Sequence, residues 1–247
     1  GLGDVYKRQS GNKALKTEQL LESLDDVGIK EGEVYKRSTL EKVKSELVRS
    51  YASNGRYGAG VQIDEILKPR NRIDINIEVD EGNSAKIKKI NVLGNEVFTD
   101  EELLDNFELS EGSFFSFISN DNQYSREKLI GDIETLESYY RDRGYLKFSI
   151  ESSQISLSRD KKSIFITFNI NEGKKYTIKN VNIIGEVPFE EDAYKSILES
   201  LKNETYSQAQ ITSIEEFFVN ILGNRGYAFA EVNGGTEIID DSNEVDL

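Results

Sequence analysis

The stretch SREKLIGDIETLESYYRDRGYLKFSIESSQISLSRDKKSIFITFNI, residues 125–170, contains the pattern on which the whole chain is built. Its first part predicts a helix with one buried side, because apolar residues recur at three- and four-residue spacing. These residues are Leu129, Ile133, Leu136, Tyr139 and Tyr140. Ser125 is a good N-cap, and Gly144 can take the left-handed conformation that ends a helix.

Two strand-like runs follow this helix, around 146–157 and 163–170, with the polar segment SRDKK (158–162) between them. The second run alternates regularly, which predicts a half-buried strand. Its apolar positions are Ile164, Ile166, Phe168 and Ile170. Helix, glycine stop and β-hairpin therefore form one unit.

The unit occurs three times, over residues 10–82, 83–173 and 174–247. Each complete copy has a first strand that ends in glycine, two helices, a Gly-Tyr step and a closing Glu-Gly. The order β-α-α-β-β predicts an α+β fold, in which each repeat is a small three-stranded mixed sheet with two helices on one face. The last strand alternates most regularly, so we place it in the centre of the sheet. The strand after Gly-Tyr then lies at an edge.

The two outer repeats depart from this pattern. If Gly11 is aligned with Gly94, polar residues occupy the apolar positions of the first strand, so we expect that strand to be missing from repeat one. We interpret residues 1–9 as a foreign or disordered tail. In repeat three, a second strand is predicted near 227–232, and the last strand is expected to be truncated at Leu247.

The composition of the chain argues against several functional classes. The net charge of −14 would repel a phosphate backbone or an anionic membrane surface, so we expect no nucleic-acid partner. The chain has no His and no Cys, which removes the usual general base, thiol nucleophile and zinc ligands. We therefore expect a binding protein and not an enzyme, with no catalytic residue, cofactor or metal site. No run approaches the roughly 20 apolar residues of a spanning helix, and the absence of Met indicates a piece of a longer chain.

An edge strand offers backbone amides and carbonyls to which an extended peptide can pair, and such pairing tolerates many sequences. The run 146–157 is the best candidate for this role. Its apolar residues change parity along the run, which suggests a β-bulge near Ser152–Gln154. The alternative interpretation is that these side chains only face the helices of their own repeat.

These motifs resemble the POTRA domain: GN or GE after the first strand, RGY after the second helix and EG after the last strand. The longer motifs are similar to the second, third and fourth POTRA domains of outer-membrane β-barrel assembly factors. They are GDIETLESYYRDRGY (131–145), VLGNEVFTDEEL (92–103), PRNRIDINIEVDEG (69–82) and LGNRGYA (222–228). The resemblance covers about residues 10–247 and leaves out the first and fifth POTRA domains and the C-terminal barrel.

The resemblance implies a periplasmic arm at the Gram-negative outer membrane, with contact to the membrane only through the barrel. Such an arm binds unfolded outer-membrane proteins by β-augmentation and docks accessory lipoproteins, a BamB-like propeller among them. The implied partner-binding residues lie on the second strand of the middle repeat: Phe148, Ile150, Glu151, Ile155 and Leu157. Glu151 stands where the family has Asp. We favour Ile155 over Glu151, since an exposed charge contributes little alone.

Three other interpretations of the function remain compatible with the sequence. The first is a POTRA arm of another translocation or autotransporter-assembly barrel, and the second is a POTRA-type structural adaptor. The third is a hydrolase with paired carboxylates, for which Asp100–Glu102 or Glu190–Asp192 could serve. Asp240–Glu244 could bind calcium through oxygens, but it lies where a hairpin turn is predicted. Phe114–Ile118 forms an apolar cluster that could line the groove beside the edge strand or cover the core.

Overall fold

The computed structural model describes residues 5–11, 13–26, 36–70, 72–112, 122–185, 187–188, 190 and 192–247. The predicted cluster Phe114–Ile118 lies outside the described residues. The chain forms two compact units, one of Gly1–Ile90, Glu108–Gly131 and Ile155–Ile166, the other of Asn91–Phe107, Asp132–Gln154 and Thr167–Leu247.

Repeat one contains a three-stranded sheet and two helices: β1 (Val5–Ser10), α1 (Thr17–Asp26), α2 (Arg37–Ser53), β2 (Gly60–Lys68) and β3 (Arg72–Asp80). The sheet has the order β1-β3-β2, so the last strand is central, as predicted. The core joins both helices to one face of the sheet. Its buried members include Leu24, Leu47, Tyr51, Ile75 and Ile77.

The predicted absence of a first strand in repeat one is wrong. Strand β1 pairs in parallel with β3, from Val5 opposite Ile73 to Ser10 opposite Glu78. Parallel pairing joins backbone groups, so a polar sequence can form it where the central strand offers a free side. The foreign origin of residues 1–9 stays a hypothesis.

Repeat two has the elements that the sequence predicts: β4 (Lys86–Leu93), α3 (Asp100–Leu104), α4 (Arg126–Arg141), β5 (Ser149–Leu157) and β6 (Ser163–Asn171). The sheet order β4-β6-β5 again places the last strand in the centre and the second strand at an edge. A capping box starts α3, with the Thr99 hydroxyl and the Glu102 carboxylate each accepting a bond from the other's amide. Leu136, Tyr140 and Phe168 are completely buried.

Repeat three is built from β7 (Thr177–Asn180), α5 (Asp192–Leu201), α6 (Gln208–Asn224), β8 (Glu237–Ile239) and β9 (Glu244–Asp246). Ser207 caps α6 as its sequence predicts, because its hydroxyl accepts from the Gln210 amide. The second strand lies at 237–239 and not near 227–232. The reason is register: β9 supplies three residues for pairing, and Ile239 opposite Glu244 fixes the partner segment next to the turn.

A buried glutamate fastens the first loop to the second helix in repeats one and two. Glu172 accepts from the Tyr140 hydroxyl at 2.8 Å and from the Val97 amide at 3.1 Å. Glu81 accepts from the Tyr51 hydroxyl at 3.2 Å and from the Ala14 amide at 2.7 Å. The closing Glu-Gly motif is therefore a structural clamp, which explains why it recurs.

We expect the Glu81 clamp to weaken in acid. Burial raises the pKa of Glu81, but bonds from Ala14, Lys13 and Tyr51 and the charge of Arg56 outweigh it and lower the pKa below its ordinary value of 4.5. A lowered folded-state pKa stabilises the fold above the unfolded-state value, and that stability is lost as the pH falls through the folded-state pKa. Parent and Glu81→Gln chains should therefore differ in urea midpoint at pH 7, and the difference should shrink as the pH falls below the ordinary glutamate pKa and through the lowered pKa of Glu81. A difference that stays constant down to pH 3 would contradict this origin of the stability.

Among the described helices, none is both long enough and apolar enough to cross a membrane.

Candidate functional site at a sheet edge

Each sheet has two edges, the first strand on one side and the second strand on the other. In repeats two and three, the segment before the second helix partly covers the first-strand edge. The Ile87 amide donates to the Asn122 carbonyl at 2.8 Å, and the Ile178 amide donates to the Glu204 carbonyl at 2.9 Å. A strand whose amides are already bonded offers less to an incoming chain. The second-strand edge is therefore the more accessible one.

Strand β5 exposes backbone groups along its outer side. The Ser158 amide donates to the Ser163 carbonyl at 2.9 Å, which sets the hairpin register and places Ile155 opposite Ile166. Antiparallel residue pairs alternate between bonded and non-bonded positions. The amides and carbonyls of Ile155 and Leu157 therefore point away from β6. They form the row to which an added strand can bond.

Ile155 and Leu157 are also the exposed apolar side chains of this edge, with 40% and 36% of their surface accessible. The Asn169 side-chain amide donates to the Ser152 hydroxyl at 2.7 Å, so these two side chains share a face. Phe168 next to Asn169 is completely buried, so that face is the one away from the core. Because strand side chains alternate, Ile155 and Leu157 lie on the face that carries the helices.

The other three predicted partner-binding residues lie in different environments. Phe148 is buried and stacks on Tyr140 with ring centroids 4.1 Å apart, so it belongs to the core and not to the exposed edge. Ile150 is half-buried and shares the face of Ser152, whereas Glu151 is exposed and alternates to the opposite face. The structure therefore brings together Glu151, Ile155 and Leu157 and separates them from the other two.

The change of side along β5 occurs earlier than the predicted bulge at Ser152–Gln154. Phe148 and Ser152 are an even number of residues apart, and in a regular strand they would share a face. Phe148 instead faces the core while Ser152 faces away from it. Phe148 precedes β5, so the change of side lies where the chain enters the strand. The Ser152–Asn169 and Ser158–Ser163 pairs share one register, which leaves no extra residue at the predicted bulge.

The edge of repeat one carries a charge at one of the two positions where the edge of repeat two is apolar, whereas Leu67 takes the place of Leu157 and is 75% exposed. Glu65 of β2 lies opposite the buried Ile75, which is the place that Ile155 takes in β5. Its carboxylate lies 3.7 Å from the Arg37 guanidinium, and Lys68 further along β2 pairs with Asp74 at 3.3 Å. Charges that point inward at a sheet edge oppose the addition of another strand. The inward charge of Glu65 therefore makes β2 a poorer receptor than β5 at this position.

The edge of repeat three is short. Strand β8 has three residues, of which Ile238 is 36% exposed. Three residues provide too few backbone bonds to hold an extended peptide, since each contributes only about 1 kcal/mol. Strand β5 is therefore the candidate site among the three second strands.

The weaker sequence candidates have other roles. The Asp240 carboxylate pairs with the Lys147 ammonium and accepts from the Tyr176 hydroxyl at 2.9 Å. Lys147 first, and Tyr176 next, lower the pKa of Asp240. Glu102 is occupied by its capping box. Over the described ranges, no group of three acidic side chains is arranged to hold a metal ion.

The covered first-strand edges were not predicted from the sequence. The signal that could have identified them is a Tyr-Ser pair before the second helix, Tyr124-Ser125 in repeat two and Tyr206-Ser207 in repeat three. Both tyrosines are buried and hold the covering segment in place.

Comparison with known proteins identifies a family model and related sequences. The sequence model of POTRA, "Surface antigen variable number repeat", matches residues 8–82, 85–173 and 176–247. The outer membrane protein assembly factor BamA of Neisseria meningitidis serogroup B is 29% identical over 91% of the chain and 28% of its own length. BamA of Buchnera aphidicola subsp. Acyrthosiphon pisum is 26% identical over 90% of the chain and 36% of its own length.

The crystal structure of POTRA3–5 of Haemophilus influenzae BamA superposes with a TM-score of 0.52 at 17% sequence identity, covering 99% of this chain and 94% of that structure. This likeness supports the three-repeat fold. The chain spans about a third of the length of the curated relatives it matches, 28% and 36%.

Proposed function

The chain belongs to the POTRA family, and from that membership and the open edge of β5 we propose that it is the periplasmic arm of an outer-membrane protein assembly factor. It holds unfolded outer-membrane proteins by β-augmentation at the periplasmic face of the Gram-negative outer membrane. It also docks accessory lipoproteins there. It acts as a binding arm and not as an enzyme.

The outward row of backbone groups on β5 is the observation that carries this proposal. Strands of outer-membrane barrels are segments of about ten residues with alternating apolar side chains. Such a segment can pair with Ile155 and Leu157 through its main chain while its apolar side chains contact theirs. Main-chain pairing accepts many sequences, which an assembly factor with many clients requires. The names of the two relatives, both assembly factors, agree with this role.

The same surface is proposed to dock a BamB-like lipoprotein. Ile155 and Leu157 supply exposed apolar area, and Glu151 supplies a charge at the rim of the same face. Apolar anchors contribute most of the affinity of a protein interface, whereas a rim charge mainly affects the association rate. Ile155 should therefore matter more than Glu151.

Replacing Ile155 with proline tests the proposed use of the edge. Proline removes an amide that points away from β6, and proline is tolerated in edge strands where the amide faces solvent. Loss of one backbone bond costs about 1 kcal/mol, and the lost apolar contact adds to it, so affinity should fall about tenfold. The measurement is an NMR titration of the 15N-labelled chain with a synthetic alternating peptide of about ten residues.

Two matched variants separate backbone from side chain. Ile155→Ala keeps the amide and should retain more affinity than Ile155→Pro. Glu65→Pro makes the corresponding change in β2 and should leave binding unchanged. Equal peptide affinity for Ile155→Pro and the parent, with the fold intact, would rule out augmentation at β5. Unchanged capture of the BamB-like lipoprotein by the same variant would rule out the docking role.

A further inference from the structure

The second helix begins with an arginine in both repeat one and repeat two. Arg37 is the first residue of α2, and Arg126 is the first residue of α4. Each lies at the same distance in sequence before the tyrosine, Tyr51 or Tyr140, that binds the buried glutamate of its repeat. The two arginines therefore occupy equivalent places in the two repeats.

Repeat one shows what this arginine contacts. The Arg37 guanidinium lies 3.7 Å from the carboxylate of Glu65 on the edge strand β2. In repeat two, Ile155 takes the place of Glu65, so the equivalent position of β5 is apolar. Arg126 is exposed, and no carboxylate among the described residues forms an ion pair with it. Arg126 therefore lacks the carboxylate that its counterpart has, beside the edge that is open.

Ile130 adds apolar surface next to this arginine. It lies one helical turn after Arg126 on the same side of α4, and 50% of its surface is exposed. Repeat one has the charged Glu41 at the equivalent place. The groove between the start of α4 and the edge of β5 is therefore apolar, with one positive charge beside it.

We propose that Arg126 is a specificity residue, which selects extended β-segments that carry a carboxylate on the same face as their apolar side chains. The selection rests on the proposed function, since a segment must pair with β5 before Arg126 can contact it. A residue opposite Ile155 on the added strand has its Cβ atom about 5 Å further out than that of Ile155. A glutamate side chain there and the long side chain of Arg126 together span this distance. A lysine at the same place would meet a like charge.

Three synthetic alternating peptides of about ten residues test the selection. They are identical except for Glu, Gln or Lys at one central position on the apolar face. In NMR titrations of the 15N-labelled chain, the parent should bind the Glu peptide about two- to fivefold more tightly than the Gln peptide, the range of an exposed ion pair. The Lys peptide should bind more weakly than either. The preference should disappear at about 1 M salt, where charges are screened beyond about 3 Å.

Variants of the two equivalent arginines show whether the preference comes from Arg126. Arg126→Glu should reverse the order of the three peptides, and it should fold because an acidic residue is favourable in the first turn of a helix. Arg126→Gln should remove the preference. Arg37→Glu makes the same change of net charge in repeat one and should leave the order unchanged. Equal effects of Arg37→Glu and Arg126→Glu would assign the preference to net charge and overturn the proposal.

The uncharged Gln peptide separates this selection from the proposed function. If all three peptides bind at β5 with equal affinity, the selection by Arg126 is wrong and β-augmentation at β5 still holds. If none of the three binds, both are wrong. The amide signals of Ile155 and Leu157 report whether a peptide is bound at this edge.

Discussion

Gly94→Ala should destabilise repeat two by about 2–5 kcal/mol. Gly94 follows β4 with a φ of 96°, and a Cβ built on it would lie 2.2 Å from the carbonyl oxygen of Ile170 in the central strand. The left-handed conformation costs a non-glycine residue about 1–2 kcal/mol. Forcing a methyl group against a backbone atom costs about 1–3 kcal/mol more, because the central strand must shift.

Urea unfolding, followed by the NMR signals of the β6 amides, measures the loss in free energy of unfolding in repeat two. Gly185→Ala is the control, since Gly185, five residues after the end of β7, has a φ of 110°, and a Cβ built on it meets no described atom within 4 Å. That variant should cost only the backbone strain, about 1–2 kcal/mol. Equal losses for the two variants would show that the contact with Ile170 carries no energy.

Glu172→Ala should lower the free energy of unfolding by about 3 kcal/mol. The carboxylate is buried, with 8% of its residue surface exposed, and it accepts bonds from the Tyr140 hydroxyl and the Val97 amide. Burial first, and then Glu172, raise the pKa of Tyr140, so the hydroxyl stays protonated and donates. A hydrogen bond to a charged group contributes about 1.5–3 kcal/mol, and its loss leaves a buried hydroxyl unpaired.

A double-mutant cycle with Tyr140→Phe isolates the clamp from other effects of the substitution. Once the phenolic hydroxyl is gone, Glu172→Ala leaves one unpaired donor fewer, so the combined loss should be smaller than the two single losses added together. Glu172→Gln keeps an acceptor oxygen and should cost less than Glu172→Ala. Strict additivity in the cycle would mean that Tyr140 and Glu172 are not energetically coupled.

The repeat order, the central position of the last strand and the edge position of β5 could all be predicted from the sequence. These features depend on local signals: the alternation in β6, the helical spacing in α4 and the left-handed glycine at position 144. Each signal is short-range, so it does not depend on how distant parts of the chain meet. The edge position then follows from the order of the three strands.

The wrong predictions concern segments whose structure depends on residues that are distant in the sequence. Strand β1 forms because β3 offers it backbone groups, and the polar residues Lys7 and Gln9 at apolar positions of the repeat pattern gave no sign of this. Strand β8 is placed by its register with β9, and not by the apolar residues after Gly226. Phe148 was assigned to the edge, but a ring stack with Tyr140 draws it into the core.

The covered outer side of β4 limits how copies of this chain can associate. Edge-to-edge growth into a filament requires two open edges per sheet, one at each side. In repeat two, Asn122 occupies an amide on one side, so β5 alone is open. Two molecules that meet through β5 use up each other's open edge, and self-association at this sheet ends with a symmetric pair.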